Sequence, residues 1–221
     1  PDRIRWLASL PFEYPDKAII ELHRALEKGA VGIMATASIN GKHLIDPLFE
    51  PVWAEINKLA LPVLIHPTAP FGSKEAEFGI ERILMPGAGF MFDTTIGIAR
   101  MAVDGFFERF QDLKIIASHG GGYIPYVNGR IDMFFQVETL NKLKIDKLPS
   151  EYFSRIYYDA VLYDPGALAL CIDIAGPEKV LFGTDFPMPC DIPKLFEMIE
   201  TRSTDEIKAI KGGNALKLFG L

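Results

Sequence analysis

Lys114-Ile115-Ile116-Ala117-Ser118-His119-Gly120-Gly121-Gly122 is an apolar run that stops on an imidazole and then on three glycines. The run is short and does not alternate, which predicts a strand buried on both faces. Two other segments repeat the form. Pro62-Val63-Leu64-Ile65 stops on His66, and Lys179-Val180-Leu181-Phe182-Gly183-Thr184 stops on Asp185, followed by Phe186-Pro187. Several buried strands that each end on a metal-binding or proton-transferring side chain suggest one shared site. A (β/α)8 barrel builds its active site in this way, at the C-terminal face of its strands. An enzyme is the leading expectation, with a metal as its cofactor.

The rest of the chain extends the pattern. Ile4 to Leu10, Val31 to Ala37 and Arg155 to Ala160 also read as short buried strands. Helical stripes lie between strands. Pro15 to Lys28 places Ala18, Ile19, Leu22, Ala25 and Leu26 at i, i+3, i+4 spacing, with Pro15 and Asp16 suited to its first turn and Gly29 to its C-terminal cap. Pro47 to Ala60, Thr94 to Phe110, Pro165 to Ala175 and Ile192 to Thr201 read as further helices, with Asp93 as N-cap of the second of these. Strand and helix in alternation predict parallel βα units. Pro67 to Phe92 reads as a long loop over the barrel mouth, and Tyr123 to Ser150 as a second insertion that contains a helix.

No linker or shift in composition divides the sequence, so residues 1–221 read as a single barrel domain. Six strands leave an eight-stranded barrel open. The fold class is therefore α/β, a TIM (β/α)8 barrel of metal-dependent hydrolase type, with one or two βα units expected before Pro1. The first residues, Pro1-Asp2-Arg3-Ile4-Arg5-Trp6, lack an initiator Met and the layout of a signal peptide, and read as an internal starting point.

Composition narrows the function classes. The 221 residues are 49% apolar and 24% charged, ordinary for a globular protein, and the net charge is −6. That balance argues against nucleic acid as a partner, because a phosphate-binding surface needs clustered Lys and Arg. No apolar run of about 18 residues suggests a membrane span. Cys171 and Cys190 fall in no metal-ligand spacing and suit a reducing compartment, so a cytoplasmic location is expected. Motifs for a serine or cysteine nucleophile, and for a phosphate loop, are absent from the sequence.

His66 reads as a metal ligand, and Asp185 as a metal ligand, a proton acceptor or both. His119, relieved of neighbouring bulk by its glycines, fits a second ligand or a general acid/base. Arg130 could hold a substrate carboxylate, and Asp159 could orient a ligand or bind substrate. His23 and His43 read as ordinary, on a solvated helix face and in a turn.

These segments resemble the amidohydrolase superfamily, and within it the group that contains aminocarboxymuconate-semialdehyde decarboxylase and γ-resorcylate decarboxylase. The resemblance is carried by Pro62 to Pro67, Gly89 to Thr95, Leu113 to Gly122 with Pro125-Tyr126 and Gly129-Arg130, Tyr158-Asp159, Val180 to Pro187, and Gly213-Asn214-Ala215. It implies that His66 and Asp185 are metal ligands, that His119 is the acid/base, and that Arg130 reaches a carboxylate across a homodimer interface. It also implies a His-x-His or Glu-x-His pair on a first strand. No such pair sits at a strand end here, and two ligands alone would bind zinc poorly. The expected activity is metal-dependent, non-oxidative decarboxylation of an unsaturated or aromatic carboxylic acid, with zinc as the expected metal and manganese the second candidate. Hydrolysis or hydration on the same barrel is an alternative. A metal-free, non-catalytic barrel fragment or binding module is another.

Overall fold

The computed structural model describes residues 3–74, 77, 83–137 and 145–221. They form two compact units, the first running to Ile115 and including Ile145, the second holding the other residues from Ile116 onward.

The first unit contains β1 (Trp6–Ser9), α1 (Pro15–Glu27), β2 (Ala30–Thr36), a hairpin of β3 (Ser38–Ile39) and β4 (Lys42–His43), α2 (Glu50–Lys58), β5 (Pro62–His66), α3 (Phe90–Val103) and α4 (Phe106–Arg109). Strands β1, β2 and β5 are parallel, in that order. Ile33 lies opposite Val63 and Thr36 opposite His66, so β2 and β5 end together. Helix α1 buries Ala18, Leu22 and Ala25, three positions of its predicted stripe. A second core gathers on Trp53, with Phe12 and Phe106 at 5.0 and 5.3 Å between ring centroids. The Trp53 indole N–H donates to the Leu44 carbonyl at 2.8 Å. Each such aromatic contributes about 1.5–3 kcal/mol by burial, and the hydrogen bond spares the indole a desolvation cost.

The second unit takes the end of β6 (Lys114–Ala117), then α5 (Ile124–Phe135), α6 (Pro149–Phe153), β7 (Tyr157–Asp159), α7 (Pro165–Ala175), β8 (Val180–Leu181), α8 (Ile192–Glu200), α9 (Thr204–Lys208) and α10 (Asn214–Phe219). Strands β6, β7 and β8 are parallel, with Ala117 opposite Tyr158 and Asp159 opposite Leu181. Asp164 caps α7 by accepting the Ala167 N–H at 2.9 Å, and Asp191 caps α8 by accepting that of Lys194 at 3.0 Å. The buried Asn214 amide donates to the Pro177 and Val180 carbonyls at 2.8 and 2.7 Å, which ties α10 to the start of β8.

All six predicted strands form, and Pro62–His66 and Pro165–Ala175 keep their predicted bounds. Four differences carry physical reasons. Strand β1 is largely exposed rather than covered on both faces, with Trp6 40% accessible; among the described residues it pairs with β2 alone. The helix expected from Thr94 to Phe110 begins earlier, at Phe90, and is interrupted after Val103 by an Asp104-Gly105 turn. Asp93 is thus no N-cap: it lies in the first turn of α3, buried, with its carboxylate bonded to Thr68. The expected long loop from Pro67 to Phe92 is helical from Met85 onward. Its residues 75–76 and 78–82 lie outside the described set, as do 138–144 of the second insertion, which does contain a helix, α5. Finally, β6 and β8 stop at Ala117 and Leu181, short of His119 and Asp185. Among the described residues no helix is long and apolar enough to cross a membrane.

Candidate active site and metal ligands

In the first unit, His66 is the last residue of β5 and is partly buried. Its carbonyl accepts the Ala37 N–H at 2.9 Å, which continues the β2–β5 ladder to the strand end. The ring Nδ1 lies 3.0 Å from the Pro67 carbonyl. A carbonyl only accepts, so Nδ1 carries the proton and, in the neutral ring, Nε2 carries the lone pair. That is the tautomer a metal-ligating histidine needs. The chain beyond Pro67 is held by Asp93, whose Oδ2 accepts the Thr68 N–H at 2.8 Å and lies 3.4 Å from the Thr68 hydroxyl. Burial raises the Asp93 pKa, against the opposing pull of Thr68 and His43.

The second unit aims its side chains differently. Ser118 is extended, but His119 has φ +53°, followed by Gly120, Gly121 and Gly122 at +61°, +74° and +64°. A left-handed conformation costs a non-glycine residue about 1–2 kcal/mol, so His119 needs support. Asp159, at the end of β7, supplies it: its Oδ1 accepts the N–H groups of Gly120 and Val161, each at 3.1 Å. A hydrogen bond to a charged group contributes about 1.5–3 kcal/mol, enough to offset the strain at one residue. From the other side the Cys171 thiol donates to the Gly120 carbonyl at 3.5 Å.

His119 is buried, and its Nε2 lies 3.5 Å from Asp185 Oδ2. Asp185 is also left-handed, at φ +58°, and its carboxylate side chain is 30% accessible. Below it, the Phe182 N–H donates to the Ile210 carbonyl at 3.0 Å, which fixes the chain beyond β8. Beyond it, the Phe186 N–H donates to Thr184 Oγ1 at 3.2 Å. At this separation the imidazole and carboxylate make an ion-pair contact; a proton would pass between them after closure to about 2.6–3.2 Å or through one water. Burial raises the Asp159 pKa, opposed by His119 and by the amides it binds.

The second unit therefore brings together three of the residues picked from sequence: His119, Asp159 and Asp185. Arg130 lies on α5, exposed, with its guanidinium 4.9 Å from the centroid of the Phe134 ring. His23 is exposed as expected and contacts Glu55 at 3.1 Å. His43 sits in β4 with its ring 4.8 Å from that of Phe71. Sequence reasoning missed Asp93, taken for a cap, and Cys171, taken for an unremarkable thiol. The Cys171 thiol pKa is pushed up to about 12, by burial first and by Asp159 second, so it is a packed donor rather than a nucleophile. Nothing in the local sequence of either residue marks its partner.

A parallel α/β fold with a histidine–carboxylate pair beyond its strand ends defines a class, and comparison with known proteins identifies it. The family model described as Amidohydrolase matches residues 1–221, and the chain belongs to that family. It is 34% identical, over 227 residues, to 2-amino-3-carboxymuconate-6-semialdehyde decarboxylase of Dictyostelium discoideum, an alignment that covers 100% of this chain and 62% of that protein. Among solved structures, 5-carboxyvanillate decarboxylase from Sphingomonas paucimobilis matches with a TM-score of 0.88 and 29% identity, over 99% of this chain and 67% of that one. A dihydroxybenzoic acid decarboxylase from Polaromonas sp. JS666, solved with manganese and the inhibitor 2-nitroresorcinol, matches with a TM-score of 0.87 and 27% identity, over 99% and 70%. The fold is thus of the TIM-barrel type found in these decarboxylases.

Proposed function

We propose that the protein is a metal-dependent, non-oxidative decarboxylase of an aromatic or unsaturated carboxylic acid, acting as a single barrel domain. The observation that carries this reading is the buried His119 beside Asp185 at 3.5 Å, in a family whose matched relatives are named as decarboxylases of such acids. We assign His66 and Asp185 as the residues that would hold a divalent metal, and His119 stands beside Asp185. The donor types fit: imidazole nitrogen and carboxylate oxygen suit zinc and manganese alike, and the Pro67 carbonyl places the lone pair of the neutral His66 ring on Nε2. When bound, the metal would supply Lewis-acid polarisation of a substrate oxygen.

The chain's own residues would do the rest. The bond from the substrate carbon to its carboxylate breaks, carbon dioxide leaves, and the electron pair stays on that carbon. A proton from His119 then takes the vacated position, and Asp185 stabilises the imidazolium before transfer. Arg130, exposed on α5, would offer its guanidinium to a carboxylate at a homodimer interface. We read the protein as cytoplasmic, its two cysteines being free thiols.

The test is carbon dioxide release from a panel of aromatic and unsaturated carboxylic acids by the full chain supplied with manganese or zinc. The His119→Ala variant should be slower by about 10²–10⁴-fold, the usual share of a positioned acid/base. Full activity in that variant, or release of carbon dioxide from none of the acids, would overturn the reading. Turnover of lactones or amides instead would indicate a hydrolase.

A further inference from the structure

Asp159 does more than occupy a strand end. Its Oδ1 takes the N–H of Gly120, the residue after His119, and the N–H of Val161 on its own strand's continuation. The Asp159 side chain also stands beside Gly183, two residues before Asp185: a Cβ placed on Gly183 would fall 3.5 Å from Asp159 Cβ and 3.8 Å from its Cγ. Asp159 lies opposite Leu181 in the ladder, and the Ala160 N–H donates to the Leu181 carbonyl at 2.8 Å. One side chain therefore binds the segment that carries His119 and stands beside the segment that carries Asp185. The His119 segment is the one that most needs an anchor, with four successive residues at positive φ. A carboxylate is also a poor group to present to an anionic substrate, because like charges repel.

We infer that Asp159 is a positioning residue, whose carboxyl oxygen holds the left-handed His119-Gly120 turn and the Gly183 segment in register so that His119 Nε2 faces Asp185. It acts through the backbone of the turn. The required property is an oxygen acceptor of fixed position, which an amide side chain of the same shape also offers.

The experiment compares Asp159→Ala and Asp159→Asn in the full chain supplied with zinc, which is diamagnetic, with two readouts. The first is the nuclear magnetic resonance signal of the His119 ring nitrogens, assigned by its loss in His119→Ala. The second is the split between kcat and KM for decarboxylation, and this arm rests on the function proposed above. In Asp159→Ala the His119 signals should shift or broaden, and kcat should fall about 10–100-fold with KM within about threefold, as for lost alignment. Asp159→Asn should keep the native His119 signals and a kcat within about fivefold of the parent. A raised KM with unchanged kcat in Asp159→Ala would make Asp159 a substrate-binding residue and overturn the inference, as would unmoved His119 signals in that variant. If Asp159→Ala does not fold, Asp159→Asn decides alone: displaced His119 signals would overturn the inference, and native ones support it. If no acid is decarboxylated, the His119 signals still decide, so failure of the functional reading and failure of this one are separable.

Discussion

The two units deliver functional side chains by opposite means. In the first, β5 runs straight into His66, which needs no unusual backbone and sets its own tautomer through the next carbonyl. In the second, β6 and β8 stop early, and His119 and Asp185 are aimed by left-handed residues beyond them. Each unit also spends one buried or partly buried aspartate on a backbone N–H near its histidine: Asp93 on Thr68, and Asp159 on Gly120. The difference is what the aspartate secures. Asp93 fastens a loop two residues past a histidine already placed by its strand. Asp159 fastens the turn that places the histidine. A side chain aimed by a strand is robust to its neighbours; one aimed by a turn depends on them.

The glycines give the largest expected contrast. Gly121 has φ +74°, and a Cβ there would fall 2.6 and 2.8 Å from Cε1 and Cδ1 of the Tyr158 ring. That ring is fully buried, and its hydroxyl donates to the Phe153 carbonyl at 2.7 Å, so it cannot move aside. Gly121→Ala should therefore cost roughly 3 kcal/mol, strain and overpacking together. Gly72, in the loop after His66, has the same φ of +74°, but none of the described residues lies within 4 Å of its would-be Cβ. Gly72→Ala should cost only the backbone strain, about 1 kcal/mol. Urea denaturation of both variants measures the difference; equal costs would break the contrast between the two strand ends.

Much of this was legible in sequence, for reasons that also mark where legibility stops. The apolar run Pro62 to Ile65 between Leu61 and His66 can only be a short buried strand, and its bounds come out as read. The Pro165 to Ala175 helix has its proline at the first position and Gly176 just past its end, and is equally plain. His66, His119 and Asp185 stood out because each interrupts an apolar run. The left-handed turn at His119 was half visible, since three glycines announce positive φ but do not say that the histidine shares it. The partners were invisible. Thr68 and Asp93 are 25 residues apart, Gly120 and Asp159 39, and Gly120 and Cys171 51. Only the order in which strands and helices pack decides such pairs. A buried aspartate therefore passed for a cap at position 93.

Asp93→Ala is the next largest effect and sharpens the comparison directly. It leaves the Thr68 N–H without its acceptor at 2.8 Å. Losing one partner of a buried charged hydrogen bond costs about 1–3 kcal/mol, so stability should fall by about 2 kcal/mol in denaturation. Turnover should fall less than in Asp159→Ala, because His66 is aimed by β5 and by the Pro67 carbonyl rather than by Thr68. A larger loss of kcat from Asp93→Ala than from Asp159→Ala would invert the proposed division of labour.

The smallest effect is a slope in pH. Burial raises the folded-state pKa of Asp93, with the Thr68 hydrogen bonds and His43 opposing. A folded-state pKa above the unfolded value, about 3.9 for Asp, means that the folded protein binds the proton more tightly. The stability Asp93 contributes is then fully present below the unfolded value and declines as pH rises through the folded one. Asp93→Asn keeps the shape and an acceptor oxygen but does not titrate. The difference in unfolding free energy, parent minus Asp93→Asn, should fall as pH rises from about 3.5 toward 7, whatever slope the other carboxylates impose on both proteins. A difference that grows with pH would mean that the Thr68 bonds outweigh burial, and Asp93 would then be an anchor whose charge is itself stabilising.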